Sequence, residues 1–274
     1  MNGRSRRTLG VWVLLAVAVI GCTRDQRPVL TVYAAASLRD VLSELREPFE
    51  RDQGARLQFN FAGSGVLAQQ ILAAPRADLF LSASPEWIDR IERAGRAVPG
   101  SRRELCANRL VVVGRDDCGV LLDSPERLVD ADYRHLAIAQ PEAVPAGQYA
   151  RDWLVSASVD GIDLWQLLAP RLTPTLDVRA TLALVESSPR VLGVVYASDV
   201  LASERAVVLY EPPPGVQPSI RYEAIAIASS AVSVEAGGSE PGRPVASSLA
   251  TAFLDLACSD GSLAVYRRHG FLEP

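Results

Sequence analysis

Hydrophobic and polar positions at the start of the patterned region predict a strand followed by a helix. Apolar residues run from Leu30 to Tyr33, and small residues follow. Helical spacing then appears in Leu38, Val41, Leu42, Leu45 and Phe49. We expect Ser37 to be the helix N-cap, with Asp40 three positions later completing a short capping box. Such a helix start presents unpaired N–H groups above the strand end, where the helix dipole favours an anion.

Strand and helix patterns alternate through the next fifty residues. Leu57 to Phe61 and Asp78 to Leu81 are predicted strands, and Gly63-Ser64-Gly65 leads into a helical stripe. A further helix is predicted to begin at Pro85. Repeated βαβ units imply a parallel sheet with helices on both faces, and ligands of such sheets lie beyond the carboxyl ends of the strands.

A second alternating set begins with the apolar run Leu110 to Gly114, which is typical of a buried strand. Further strands are predicted at His135 to Ala139, Val191 to Tyr196, Val207 to Tyr210 and Tyr222 to Ala228. Helices are predicted from about Ala146, around Asp163 to Leu168, from about Val178, over 245–258 and over 261–269. The segment 234–244 is rich in Gly, Glu, Ser and Pro and is predicted to be a surface loop.

These elements predict an α/β protein of two lobes, each a mixed, mostly parallel sheet flanked by helices. We expect the chain to cross between the lobes twice, near Leu110 and near Tyr222. The first lobe then comprises residues 28–107 and 222–274, and the second comprises 108–221. Two crossover strands of this kind can act as a hinge.

The N-terminal segment predicts export. Arg4, Arg6 and Arg7 precede an apolar run from Leu9 to Ile20, which is the layout of a signal peptide over residues 1–22. A transmembrane anchor is the alternative. The run ends in Val-Ile-Gly-Cys, which resembles the bacterial lipoprotein cleavage box, so Cys22 is a candidate lipidation site.

The net charge of −4 argues against a nucleic-acid partner, which usually needs a clustered basic face. It also means that any bound anion must be held by local dipoles and donors. Three cysteines remain besides Cys22, so at least one is unpaired, and a bond between Cys106 and Cys118 is possible but not decided by the sequence. The only histidines, His135 and His269, lie outside ligand spacing of a cysteine, which disfavours a His/Cys metal site.

Four predicted helix starts and one strand end carry candidate hydrogen-bond donors. Ser37 and Ser64 each offer a hydroxyl together with backbone N–H groups. Two further helices open at Val144-Pro145-Ala146 and at Asp177-Val178, with Asp177 as the expected cap. Tyr196 ends a strand and can present a phenolic hydroxyl.

Six blocks in order resemble the periplasmic molybdate-binding proteins of ABC importers. They are VYAAASL (32–38), FAGSGVL (61–67), ADLFLSA (77–83), AQPEAVPAGQYA (139–150), DVRATLALVE (177–186) and GVVYASD (193–199). The blocks span most of the chain after Pro28. Two departures are Gln140, where the family often has Asp, and the Gly63-Ser64-Gly65 turn, where relatives can carry further serines.

The resemblance implies a type II periplasmic-binding-protein fold that holds a tetrahedral oxyanion between two lobes by neutral donors. The implied donors are the hydroxyls and backbone N–H groups of Ser37 and Ser64, the backbone N–H groups of Ala146 and Val178, and the hydroxyl of Tyr196. It further implies a monomeric, exported, non-enzymatic receptor that binds molybdate and also tungstate, needs no cofactor and delivers its ligand to an ABC importer permease.

Three alternatives compete with this function. A receptor for another oxyanion such as sulfate keeps the same fold. A serine hydrolase using Ser37 or Ser64 lacks a Gly-x-Ser-x-Gly elbow and has only two histidines to serve as base, both outside the six blocks. A ligand-sensing domain of a regulator is opposed by the export signal and by the lack of a basic DNA-binding segment.

Overall fold

The computed structural model describes residues 27–228 and 243–274. The predicted signal peptide with Cys22 and nearly all of the predicted loop at 234–244 lie outside the described residues. Within those two ranges, no helix combines the length and the apolar character needed to cross a bilayer.

The strands are short and distributed along the whole described chain. They are β1 Val29–Ala35, β2 Arg56–Ala62, β3 Leu79–Ser82, β4 Arg103–Asn108, β5 Leu110–Arg115, β6 His135–Ala139, β7 Ser158–Val159, β8 Ile162–Asp163, β9 Leu172–Thr175, β10 Val191–Tyr196, β11 Ala206–Tyr210 and β12 Ile220–Ala226.

The α-helices lie mostly between parallel strands. They are α1 Arg39–Gln53, α2 Ser64–Ala73, α3 Pro85–Arg93, α4 Arg127–Asp130, α5 Pro145–Ser156, α6 Leu164–Leu168, α7 Val178–Ser187, α8 Ala197–Val200, α9 Arg243–Ala257 and α10 Asp260–Arg268.

Two five-stranded mixed sheets organise these elements, and the predicted α/β class is confirmed. The first sheet has the order β2-β1-β3-β12-β4, and the second has the order β11-β5-β10-β6-β9. In the first sheet β1 runs parallel to β2 and β3, whereas β12 is antiparallel to β3 and β4. In the second sheet β6 runs parallel to β9 and β10, whereas β5 is antiparallel to β10 and β11.

The chain passes between the sheets at two places. Arg109 alone separates β4 from β5, and residues 211–219 join β11 to β12. Helices α9 and α10 pack on α1 beside the first sheet. We call the elements around the first sheet the first half, and we call the elements around the second sheet the second half.

Continuous apolar runs form the central strands. All residues of β3 and β10 are buried, as are five of the six residues of β5, because helices cover both faces of the sheets. The strands that sequence patterns missed are at edges or in a hairpin: β4 carries Arg103 and Glu104, and β9 contains Pro174. Polar residues and proline are tolerated on edge strands, which weakens the pattern there.

Ser37 is not an N-cap, so that prediction is wrong. It lies inside a single 3-10 turn, Ala36–Leu38, and α1 begins two residues later at Arg39 without a side-chain cap. The Ser37 hydroxyl instead pairs with the Tyr222 hydroxyl at 2.9 Å. Asp40 forms an ion pair with Arg179 across the structure and takes no part in a capping box.

Other sequence predictions for helix ends fare better. Asp177 caps α7 by accepting from the Ala180 N–H at 2.9 Å, and Pro85 occupies the first turn of α3 behind the Ser84 cap. The three described cysteines are free. Cys106 lies on a strand of the first sheet and Cys118 follows a strand of the second, so the Cys106–Cys118 pairing is not formed.

Gly147 allows the first turn of α5 to lie directly against the end of β6. A Cβ atom at this position would lie 1.8 Å from the Ala139 carbonyl oxygen, which is backbone and cannot rotate away. The close approach fixes where the neighbouring Ala146 N–H points.

We expect Gly147→Ala to lower the free energy of unfolding by about 2 kcal/mol or more, because helix and strand must separate to admit the methyl group. Gly215→Ala is the matched control, since a Cβ there meets nothing within 4 Å. Urea unfolding of both variants measures the difference. Equal midpoints for the two would contradict this account of the packing.

Candidate functional site

A small cavity lies where elements of the two halves meet. It is lined by Ala35, Ala36, Ser37, Ala62, Gly63, Ser64, Ala83, Val144, Pro145, Ala146, Asp177, Val178 and Tyr196. The structure therefore brings all five predicted ligand-binding residues to one place. The first half supplies the turns after β1, β2 and β3, and the second supplies the starts of α5 and α7 and the end of β10.

Backbone donors enter the cavity from helix starts. Ala146 and Val178 are in the first turns of α5 and α7, where N–H groups have no acceptor within the helix. The Asp177 carboxylate is turned back to cap α7, so it accepts from its own helix although the residue lines the cavity. Both helix dipoles place positive potential at the cavity wall.

The Ser64 hydroxyl accepts one hydrogen bond from the backbone and keeps its own proton available to a ligand. Its Oγ accepts from the Ala83 N–H at 3.1 Å, and the residue is 1% exposed. A serine hydroxyl that accepts from a fixed backbone donor still has one proton to give. The cavity is the place where that proton can be donated.

Tyr196 has a fully buried hydroxyl with no hydrogen-bond partner among the described residues. Its ring packs edge-on to the Tyr222 ring at 5.9 Å between centroids. Burial, together with the neighbouring Tyr222, raises the pKa of the Tyr196 phenol well above its ordinary value, so it stays a neutral donor. A buried donor needs an acceptor, and the cavity that Tyr196 lines is where a ligand can supply one.

The two halves contact each other around the cavity. The Gly65 N–H donates to the Ala143 carbonyl at 2.9 Å, and the Tyr149 hydroxyl donates to the Ala83 carbonyl at 3.4 Å. A Cβ at Gly65 would lie 2.4 Å from the Ala143 oxygen, so glycine is needed for the approach. These contacts hold elements of the two halves together beside the cavity.

No cationic side chain is among the cavity-lining residues of the described chain. The nearby Arg179 is engaged by two carboxylates: its Nε lies 2.9 Å from Asp199 Oδ1, and its other end pairs with Asp40 in the first half. Asp199 is fully buried, and desolvation raises its pKa to about 7 although the charge of Arg179 and the Tyr196 N–H oppose the shift. Only neutral dipoles therefore face the cavity directly.

The histidines lie apart from both serines. His135 Nδ1 faces Thr173 Oγ1 at 3.2 Å, and His269 Nε2 faces Glu44 at 2.9 Å. Neither could serve Ser37 or Ser64 as a general base, because that role requires hydrogen-bond reach. The geometry supports binding by donors and gives no support to nucleophilic catalysis.

Sequence patterns missed the residues that support the donors. Ala83 holds Ser64, and Tyr222 holds Ser37 although it lies 185 positions away along the chain. Only the fold brings these pairs together. Tyr222 looked like an ordinary aromatic residue of a strand, and no local signal marked it.

Helix starts from the two halves converge on one small cavity that holds several hydrogen-bond donors, which is the arrangement of a solute receptor. The family model described as bacterial extracellular solute-binding protein matches residues 30–272, and the chain belongs to this family.

Particular relatives share most of the chain. It is 33% identical over 222 residues to the molybdate-binding protein ModA of Escherichia coli strain K12, covering 76% of this chain and 80% of that protein. It is 31% identical over 201 residues to the putative ABC transporter substrate-binding lipoprotein YvgL of Bacillus subtilis, covering 70% and 75%. The periplasmic molybdate-binding protein of Azotobacter vinelandii has the same fold, with a TM-score of 0.73 over 89% of this chain and 99% of that one at 21% identity.

The buried Asp199 carboxyl should make stability depend on pH. Its native pKa of about 7 exceeds the value of 3.8 for a free carboxyl, so between these values the native state binds more protons than the unfolded state. Stability from this group is full below pH 4 and is lost as the pH rises to about 7, at no more than about 1.4 kcal/mol per pH unit.

Unfolding free energies of wild type and Asp199→Asn, measured between pH 4 and pH 8, test this dependence. We expect the advantage of wild type over the variant to shrink as the pH rises to 7 and then to level. A difference that stays constant across the range would mean that Asp199 is ionised throughout.

Proposed function

We propose that this chain is an exported receptor that binds molybdate, and also tungstate, in the cavity between its two halves and delivers it to the permease of an ABC importer. The names of the relatives from Escherichia coli and Azotobacter vinelandii support molybdate as the ligand. The observation that carries the proposal is the buried Tyr196 hydroxyl, which has no acceptor within 27–228 and 243–274 and lines the same cavity as four other donor residues.

The donor set suits a fully deprotonated oxyanion. Molybdate is a dianion at neutral pH, and its four oxygens accept hydrogen bonds without donating any. A protonated phosphate carries an O–H that needs an acceptor, and a cavity of donors alone leaves this group unpaired. Sulfate has the same charge and shape but shorter bonds, so donors held at the spacing of molybdate reach it less well.

The hydrogen bonds can account for tight binding. Bonds from N–H and O–H groups to an anion stabilise by roughly 1.5–3 kcal/mol each. Five such residues suffice for sub-micromolar affinity, about −8 kcal/mol or more favourable, after the costs of association and closure.

The structure also supports a mechanism of capture. We propose that the lobes of residues 28–107 with 222–274 and of residues 108–221 rotate about Arg109 and the segment 211–219. Opening exposes the helix starts to the ligand, and closure forms the contacts seen between Gly65 and Ala143. One chain completes the cavity, so the receptor is proposed to act as a monomer.

Isothermal titration of the purified protein tests the ligand. We expect sub-micromolar dissociation constants for molybdate and tungstate, and binding of sulfate at least about tenfold weaker, because its oxygens cannot reach all the donors. Tighter binding of sulfate, or no binding of either heavy oxyanion, would overturn the proposal.

The same titration on Tyr196→Phe locates the site. Loss of one charge-assisted bond should weaken molybdate binding by roughly tenfold. Tyr266→Phe is the matched control, since its hydroxyl is also buried and without a partner but does not line the cavity. Equal affinities of the two variants would place the ligand elsewhere.

We also propose that the mature receptor begins at a lipidated Cys22 and is held at the outer face of the membrane. The Val-Ile-Gly-Cys box and the name of the Bacillus subtilis relative support this. We expect the wild-type protein to fractionate with membranes and Cys22→Ser to lose this association. A variant that stays with the membrane as an uncleaved precursor would favour the transmembrane alternative.

A further inference from the structure

A chain of buried polar side chains extends from the cavity to the crossing point of the two halves. Ser37 Oγ lies 2.9 Å from Tyr222 Oη, and the Asn108 amide nitrogen lies 3.4 Å from Tyr222 Oη and 2.8 Å from Ser198 Oγ. All four residues are at most 5% exposed. Asn108 ends β4 and directly precedes Arg109, where the chain enters the second half.

The direction of these hydrogen bonds is fixed by a backbone group. Asn108 Oδ1 accepts from the Arg109 N–H at 2.8 Å, so the amide oxygen is identified and the other terminal atom is the nitrogen donor. That nitrogen donates toward Tyr222 Oη, which therefore receives a proton from this side. The contact between Ser37 Oγ and Tyr222 Oη can run in either direction, and we infer that Tyr222 donates because its oxygen already accepts from Asn108.

The hydrogen bond from Tyr222 determines how the Ser37 hydroxyl is oriented. Once its oxygen accepts from Tyr222, its own proton is directed elsewhere, and Ser37 lines the cavity. Burial raises the pKa of the Tyr222 phenol well above its ordinary value, so the Tyr222 proton is retained. The Ser37 proton is then free to be donated into the cavity, in the same way that accepting from the Ala83 N–H leaves the Ser64 proton free.

We propose that Tyr222 is a positioning residue of the anion site, which through its hydrogen bond to Ser37 Oγ turns the Ser37 proton toward the bound oxyanion and excludes oxyanions that are themselves protonated. The inference rests on the proposed function of the cavity. Tyr222 does not line the cavity and acts through Ser37. Without the Tyr222 proton, the Ser37 hydroxyl can rotate and accept a hydrogen bond from a ligand O–H.

A double-mutant cycle with molybdate titration tests the inference. Tyr222→Phe keeps the ring and should weaken binding by about fivefold to tenfold, as should Ser37→Ala. The double variant should bind no more weakly than Ser37→Ala alone, because Tyr222 acts only through that hydroxyl. Tyr266→Phe is again the control for loss of a buried phenol hydroxyl and should leave affinity unchanged.

Titration with inorganic phosphate at pH 6.5 gives a readout that a merely structural role would not move. In Tyr222→Phe, molybdate should bind more weakly and phosphate more tightly, since Ser37 can then accept from the phosphate O–H. The ratio of molybdate affinity to phosphate affinity should therefore fall by a larger factor than the molybdate affinity alone. Should Tyr222→Phe fail to fold, Asn108→Leu removes the donor that orients Tyr222 and should lower the same ratio.

Opposite outcomes overturn the inference without touching the proposed function. Unchanged or tighter molybdate binding by Tyr222→Phe would mean that Ser37 donates to Tyr222. Losses that multiply in the double variant would mean that Tyr222 acts independently of Ser37. Failure of the proposed function is a different result, in which the wild-type protein does not bind molybdate at all.

Discussion

The structure depends on hydrogen-bond donors that are buried together without an acceptor of their own. Tyr196, Ser64 and the starts of α5 and α7 all line one small space, and the Tyr196 hydroxyl has no partner among the described residues. Each such group costs free energy when it is removed from water unpaired. One small acceptor-rich anion can satisfy the groups of both halves at once, which would couple binding to the closure that we propose.

The charges around the cavity are arranged so that none meets the ligand directly. Arg179 lies beside the helix start at Val178, but the carboxylates of Asp40 and Asp199 occupy its guanidinium. A free arginine could grip an oxyanion with two parallel bonds and would hold it strongly in an open receptor as well. Neutral dipoles bind the anion well only when both halves supply them, which favours release on opening.

Sequence patterns predicted the parts of the fold that depend on local order. The continuous apolar runs of β5 and β10, the Pro85 helix start and the Asp177 cap are all set by neighbouring residues. The role of Ser37 as a cap was wrong because a distant partner, Tyr222, competes for its hydroxyl. Edge strand β9 escaped notice because Pro174 breaks its pattern. Ser64, Ala146 and Val178 lie at helix starts, which sequence can locate, whereas the residues that support the donors come from other parts of the chain.

The backbone bond between Gly65 and the Ala143 carbonyl joins the first turn of α2 to the loop before α5. Because it spans the two halves beside the cavity, this bond must break before the halves can separate in the mechanism we propose. Under that mechanism the residence time of the solute is set by how often the halves separate, and a permease that draws them apart sets the rate of unloading without competing for the solute.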